Sequence, residues 1–481
     1  MKNWFFFLGE CFLLTSILVA AEKANFTGFQ VLEINHLLEE DQIKFLSWVV
    51  DFWTSPRQNG SEVTFMLPLK YRGKVKEFLN KEGISYKIVM KDLQSEIDKE
   101  TKENREGCNK LVEFSQNRRL KRESIWEILS NALTRRGRKI TNSDLSLNEQ
   151  NYIEPLKPQL KEIDGGEMNW NQYHRLKTIY NWMEDLAHEY SDLVTILVLG
   201  TTAEGRNIVA LKIGQNSKHS KPGIFIEGGI HAREWISVAS VSYVANELVK
   251  NPSNADLLEI FDFFILPVLN PDGYEYTHTD NRMWRKNRSK DSSLLNILTN
   301  CIGVDLNRNF GFSWGDIGLM DAPQMGTPLP CLETYIGSAP FSEQETQAVR
   351  DFILSQPGKF ISYLAIHSYG SKIVYPWSST EEKVADWQEL KEMANRFAEP
   401  VFLASGGTDL YKIGTATEIQ YRATGGADDW ARGGAGIKFV YLVELPGKGR
   451  GFLLPPSWIL HVSRTTLAGV QGLARAIAQS L

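Results

Sequence analysis

Three apolar runs in the chain each stop at a residue that can bind a metal or move a proton. Ile224-Phe225-Ile226-Glu227-Gly228-Gly229-Ile230 leads into His231, with Glu234 three residues further on. Ile361-Ser362-Tyr363-Leu364-Ala365-Ile366 leads into His367, and Phe439-Val440-Tyr441-Leu442-Val443 leads into Glu444. Two imidazoles and a carboxylate, with a fourth position open, are the ligand set of hydrolytic zinc. Such an ion brings the pKa of its water to about 7. A second carboxylate nearby can take the proton and pass it to a leaving amine. On this reading His231, Glu234 and His367 hold one Zn2+, and Glu444 is the general base. A histidine at a strand end is more often a hydrogen-bonded core residue than a ligand, and His-X-X-Glu spacing alone is weak. Of the eight histidines, however, only these two directly follow apolar strand runs.

Residues so far apart meet only if a sheet gathers them, and in open α/β sheets ligands bind beyond the carboxyl ends of the strands. The pattern from 166 to 481 fits. A helix is expected over Tyr173–Glu189. Short apolar runs follow at Val194–Leu199, Ile208–Ile213, Ile224–Glu227, Phe263–Val268, Phe360–Ile366 and Lys438–Val443, with a helix at Val238–Lys250. Strands buried on both faces and alternating with helices predict an α/β domain with a mixed central β-sheet flanked by helices. Before it, residues 22–98 read as a small α+β (ferredoxin-like) unit. Strands are expected at Val31–Ile34, Val63–Leu67 and Tyr86–Met90, helices at Gln42–Phe52 and Gly73–Lys81, and a helical tail from Asp92 to Asp98. A polar, charge-rich linker, 99–165, joins the two.

A chain of 481 residues is long for one core, and a net charge of −5 leaves no broad basic face for nucleic acid. Residues 1–21 read as a secretory signal peptide: Lys2, an apolar stretch from Trp4 to Ala20, then small residues. That stretch is short for a membrane span and contains Glu10. A secreted, extracellular monomer that does not bind membranes is expected. Of four cysteines, Cys11 leaves with the signal, and Cys301 and Cys331 are candidates to pair in an oxidising compartment. Cys108 is then odd. Asn-X-Ser/Thr triplets stand at Asn25, Asn59 and Asn287. The linker carries Arg118-Arg119-Leu120-Lys121-Arg122 and Arg135-Arg136-Gly137-Arg138-Lys139. Exposed basic pairs between two domains are where processing proteases cut, so an activating cut near Arg122 or Arg138 is expected. Arg119-Leu120-Lys121-Arg122 has the form that furin-like proteases favour.

The string Gly229-Ile230-His231-Ala232-Arg233-Glu234-Trp235-Ile236-Ser237 resembles the first zinc signature of the A/B-type metallocarboxypeptidases. The resemblance continues through Asn270-Pro271-Asp272-Gly273-Tyr274 and Asn281-Arg282-Met283-Trp284-Arg285-Lys286. It runs on through Gly303-Val304-Asp305-Leu306-Asn307-Arg308-Asn309-Phe310 and Ile366-His367-Ser368-Tyr369. It ends with Gly425-Gly426-Ala427-Asp428-Asp429-Trp430, Glu444-Leu445 and Gly451-Phe452-Leu453-Leu454-Pro455. It covers nearly everything from 168 to 480, and residues 25–98 resemble the family's activation domain. What it implies is a zinc peptidase, made as an inactive precursor, that removes residues from peptide or protein C-termini. Arg285 would hold the developing oxyanion. Asn307 and Arg308 would clamp the substrate carboxylate, and Tyr421 would close over it. Arg233, Ser368 and Tyr369 would form outer subsites. Cys301 and Cys331 occupy the family's paired positions.

Asp428 falls where A-type members have an apolar residue and B-type members an aspartate, whereas Asp429 matches a residue common to both. A carboxylate on a pocket floor favours a cationic partner, so release of C-terminal Arg or Lys is expected. The alternatives are an A-type enzyme releasing apolar or aromatic residues, and a catalytically inactive homologue acting as a binding protein.

Overall fold

The structure, a computed structural model, describes residues 23–35, 38–54, 62–106, 167–217, 219–290, 299–317 and 325–481. The expected signal segment, Asn59, Cys108, most of the linker, and both basic runs with Arg122 and Arg138 lie outside the described residues.

The N-terminal unit consists of β1 (Gln30–Ile34), α1 (Glu40–Ser47), β2 (Asp51–Phe52), β3 (Val63–Leu67), α2 (Arg72–Lys81), β4 (Tyr86–Met90) and α3 (93–106). Its sheet is antiparallel, in the order β2-β3-β1-β4. Along β3, Val63, Phe65 and Leu67 are buried and Thr64 and Met66 only half so, the period of two that a one-sided sheet needs. Val75 and Leu79, four apart on α2, close the same core with Leu32 and Phe65. This is the expected α+β arrangement with one correction. The helix predicted over Gln42–Phe52 stops at Ser47, and Asp51–Phe52 becomes a short strand on the free edge of β3, pairing with Met66 and Phe65. Tertiary pairing overrides the apolar run through Val49 and Val50, and it turns Asp51 toward the second unit.

That unit contains α4 (Leu176–Glu189), β5 (Val194–Thr201), β6 (Asn207–Ile213), β7 (Gly223–Gly228), α5 (Trp235–Lys250), α6 (Ala255–Ile260), β8 (Asp262–Leu266), α7 (Pro271–Thr279) and α8 (Gln344–Leu354). Then come β9 (Phe360–Ser368), β10 (Lys372–Val374), α9 (Trp387–Ala404), β11 (Lys412–Gly414), α10 (Ala416–Ile419), α11 (Ala427–Gly433), β12 (Phe439–Leu445) and α12 (Ile459–Ser480). Eight strands form one mixed sheet in the order β11-β10-β12-β9-β7-β8-β6-β5. The four neighbours β12, β9, β7 and β8 run parallel. Alternate residues feed different cores: Ile224 and Ile226 of β7 pack with α4, α5 and α12, while Phe225 packs on the opposite face with Phe264 and Tyr363. Burial on both faces explains why these strands read as continuous apolar runs.

The two units meet over the carboxyl ends of the central strands. Phe26, Trp53, Leu93, Met283 and Phe452 share one apolar cluster across the boundary. On α3, Glu100 receives bonds from Arg282 Nε at 2.6 Å and Nη2 at 3.0 Å, with both residues buried. Glu96 receives one from Arg450 at 2.9 Å. Among the described residues no helix is long and apolar enough to cross a membrane.

Candidate active site

The loop after β7 has to turn sharply to bring His231 over the sheet. Gly229 makes the turn at φ +64, and a Cβ there would lie 2.7 Å from Val238 Cγ2, so only glycine fits. Asn270 holds the loop by donating to the Ile230 carbonyl at 3.1 Å. The helix expected from Val238 begins three residues earlier, at Trp235, which makes Glu234 its N-cap residue. A carboxylate there faces the positive end of the helix. His367 lies inside β9 rather than beyond it, and β9 pairs with β12 so that His367 is opposite Glu444.

These elements bring His231, Glu234 and His367 together, with donor atoms within 4.8 Å of one another and all three residues buried. His231 Nδ1 lies 2.7 Å from Glu234 Oε1. His367 Nδ1 lies 3.2 Å from His231 Nδ1 and 3.2 Å from Glu234 Oε2. Four-coordinate zinc with bonds of about 2.0–2.1 Å sets neighbouring ligand atoms about 3.3 Å apart, so the donor set fits that ion. The backbone N–H of Ser368 donates to Glu234 Oε2 at 3.1 Å, a main-chain contact that orients the carboxylate. Burial alone would raise Glu234, but the two imidazoles hold it well below the usual carboxylate range. Burial would lower His367, yet Glu234, Glu444 and Glu227 outweigh it and raise it to about 9. His231 is lowered by burial and by Arg285, against the pull of Glu234 and Asp305.

Asp305 is the residue that reading the sequence passes over. Fully buried, it accepts from His231 Nε2 at 3.1 Å and from Arg285 Nε and Nη2 at 3.1 and 2.9 Å. The first bond fixes the His231 tautomer, turning the Nδ1 lone pair toward the centre. The other two lock the Arg285 fork, whose Nη1 makes no hydrogen bond among the described residues. Burial would raise Asp305; Arg285, His231 and Arg308 instead hold it far below its ordinary value. The only signal in the sequence is its place two residues before Asn307.

The remaining residues line a cavity of about 380 Å3, walled on one side by Trp48, Asp51 and Trp53 of the N-terminal unit. Asn307 is anchored by accepting from the Ala427 N–H at 2.8 Å. Arg308 donates to Tyr421 Oη at 3.2 Å, so those two predicted residues already touch. Arg233 is buried and Tyr369 partly buried beside the N-terminal unit: Arg233 lies over the Phe452 ring at 4.3 Å, and Tyr369 packs on the same ring. Asp428 opens onto the cavity and accepts from Ser378 Oγ at 2.6 Å. Asp429 is turned away and accepts from the Ser378 and Ser379 N–H groups at 2.7 and 2.8 Å. Burial, reinforced by Asp428, pushes Asp429 up to about 7. Lys372, also unforeseen, is nine-tenths buried on β10, opposite Glu444 in register. Glu444 is pushed up to about 7 by burial and by Glu234, against the pull of His367, Lys372 and Arg285. Cys301 and Cys331 form a disulfide with a Cα separation of 5.1 Å.

Family models match both parts of the chain: "Zinc carboxypeptidase" over residues 179–469 and "Carboxypeptidase activation peptide" over residues 27–100. The chain is similar to carboxypeptidase B of Astacus astacus, with 40% identity over 312 residues, covering 64% of this chain and 98% of that one. It is also similar to carboxypeptidase A1 of Bos taurus, with 33% identity over 473 residues, covering 95% and 96% of the two chains. Among solved structures, the carboxypeptidase A of Helicoverpa armigera superposes with a TM-score of 0.76 at 26% identity, covering 94% of this chain and 98% of that one. The chain belongs to the zinc carboxypeptidase family, as a metallocarboxypeptidase precursor that carries its own activation peptide.

Proposed function

We propose that this precursor is exported, cut in the linker near Arg122 or Arg138, and then releases C-terminal Arg or Lys from peptides and proteins. The division into residues 1–21, 22–98, 99–165 and 166–481, as signal, pro-domain, linker and catalytic domain, is part of the same proposal. Asp428 carries the specificity reading. Asp428 lines the cavity, whose lining also includes Val374, Ala416, Ala423 and Leu442, and Ser378 donates to its carboxylate. Among the described residues no lysine or arginine pairs with it. A guanidinium or ammonium entering the pocket would find a carboxyl group with no cationic partner, and an apolar side chain would leave that group without one.

When bound at His231, Glu234 and His367, zinc supplies an acidified water and polarises the scissile carbonyl. Asn307 and Arg308 grip the substrate's terminal carboxylate, which restricts cleavage to the last bond. Glu444 takes a proton from the attacking water and hands it to the departing nitrogen. Arg285, held by Asp305, presents Nη1 to the oxyanion that develops on the carbonyl. Tyr421 moves from Arg308 to cover the bound residue, and Arg233, Ser368 and Tyr369 receive the residues upstream. The test is to trim the precursor with trypsin and compare release of C-terminal Arg, Lys, Phe and Leu, with and without a chelator. Chelator-sensitive release of Arg or Lys supports the proposal. Release of Phe or Leu, a preference compatible with the A-type relatives, would overturn the pocket assignment. Zinc-loaded protein that releases nothing would point to the inactive binding homologue.

A further inference from the structure

The Asn-X-Ser/Thr triplets at Asn25 and Asn287 have opposite surroundings; Asn59 lies outside the described residues. Asn287 is fully buried. Its Nδ2 gives its hydrogens to Glu343 Oε2 at 2.7 Å and Glu345 Oε2 at 3.0 Å. Its Oδ1 accepts from the Val304 N–H at 2.8 Å and from Ser289 Oγ at 3.2 Å. A sugar on that nitrogen would remove one hydrogen and demand an outward path through a closed network. Glycans are attached to nascent chains, so burial acts afterwards: a chain modified at Asn287 cannot reach this fold.

Asn25 has the reverse setting. The Ala24 N–H is tied to the Asp280 carbonyl at 2.9 Å, and Phe26 is buried in the cluster shared with Trp53, Met283 and Phe452. Between these fixed points Asn25 and Thr27, the two residues of the triplet that matter chemically, are exposed. Asn25 Oδ1 accepts from the Thr27 N–H at 2.8 Å, an Asx turn that joins them. Asn25 Nδ2 makes no hydrogen bond among the described residues.

We propose that Asn25 carries an N-linked oligosaccharide and that Asn287 carries none. Of these two positions, the modified one therefore belongs to the activation peptide and leaves with it. In the step, Asn25 Nδ2 attacks the anomeric carbon of a lipid-linked oligosaccharide pyrophosphate. The C–N bond forms, the C–O bond to pyrophosphate breaks, Nδ2 releases one proton, and the lipid pyrophosphate departs.

This rests on entry into the secretory pathway, so the test uses the full chain behind an independent secretory leader in eukaryotic cells. If residues 1–21 do not direct export, that reading fails and this test still stands. Secreted precursor is treated with a glycan-releasing amidase in 18O water, and each triplet is mapped by peptide mass. The expected result is 18O label at Asn25 and none at Asn287, loss of the Asn25 label in Thr27→Ala, and no change in sugar content in Ser289→Ala. An unlabelled Asn25 in secreted, folded precursor, or any label at Asn287, overturns the proposal.

Discussion

Asp51 of the activation peptide and Arg233, two residues past His231, meet at 2.5 Å across the boundary between the two units. Arg233 is 3% exposed in its side chain and Asp51 is 14% exposed, so the pair is largely withdrawn from solvent. Loss of a hydrogen bond to a charged group costs about 1.5–3 kcal/mol. Asp51→Asn should raise the residual activity of uncut precursor toward a small C-terminal Arg substrate by roughly 10- to 100-fold, without changing the trimmed enzyme. Equal activity in the two uncut proteins would show that the pair does not contribute to latency.

The ligand set and the base should separate on mutation. His367→Asn should lose zinc and activity together, and chelation should lower the melting temperature of wild type, because an ion that binds only the folded chain stabilises it. Glu444→Gln should keep its zinc and lose roughly 10^2–10^4 in kcat. Metal analysis beside steady-state kinetics checks both.

The pH profile follows from Glu444, raised to about 7 by burial first. In its proposed role as base Glu444 works as the carboxylate, so kcat/KM should fall as pH drops through its pKa. Bound zinc adds positive charge beside it, so the acid limb should lie below 7. Lys372 is one of the groups that pull Glu444 down. Lys372→Met should therefore shift the limb toward higher pH, whereas a purely structural effect would lower the plateau and leave the limb in place.

Asp428→Ala should cost release of Arg and Lys about 2–4 kcal/mol in kcat/KM, roughly 30- to 700-fold, while Phe and Leu improve relative to them. Ser378→Ala should move in the same direction by less, since it removes only one donor from Asp428. A specificity ratio unchanged by both substitutions would remove Asp428 from the pocket.

The disulfide spans 30 residues, and closing a loop of that size restrains the unfolded chain by about 3–4 kcal/mol. Cys301→Ser should lower the melting temperature measurably with little change in the zinc content of the folded protein.

His231, His367 and Glu444 stand out in the sequence because each directly follows a run of apolar residues, and Glu234 because it stands three residues after His231. Asp305 is not legible in that way. It works through bonds to His231 and Arg285, partners distant in sequence that only the fold supplies. The same holds for Lys372, whose meaning depends on lying opposite Glu444 across β10 and β12. The overrun of the helix predicted to Phe52 has a related cause: nothing local announces that β3 leaves an edge for Asp51 to join.

His367 and Glu444 occupy neighbouring strands in the sheet interior, whereas Val374, Ser378, Ala416 and Asp428 come from an outer strand, loops and two short helices. The separation between His367 and Glu444 is thus set by backbone pairing, at the fixed spacing of about 4.8 Å between strands. The pocket has no such constraint. Substrate preference can drift in a lineage through changes at the margin while the reacting groups keep their places, much as a lathe accepts a new chuck without realigning its spindle.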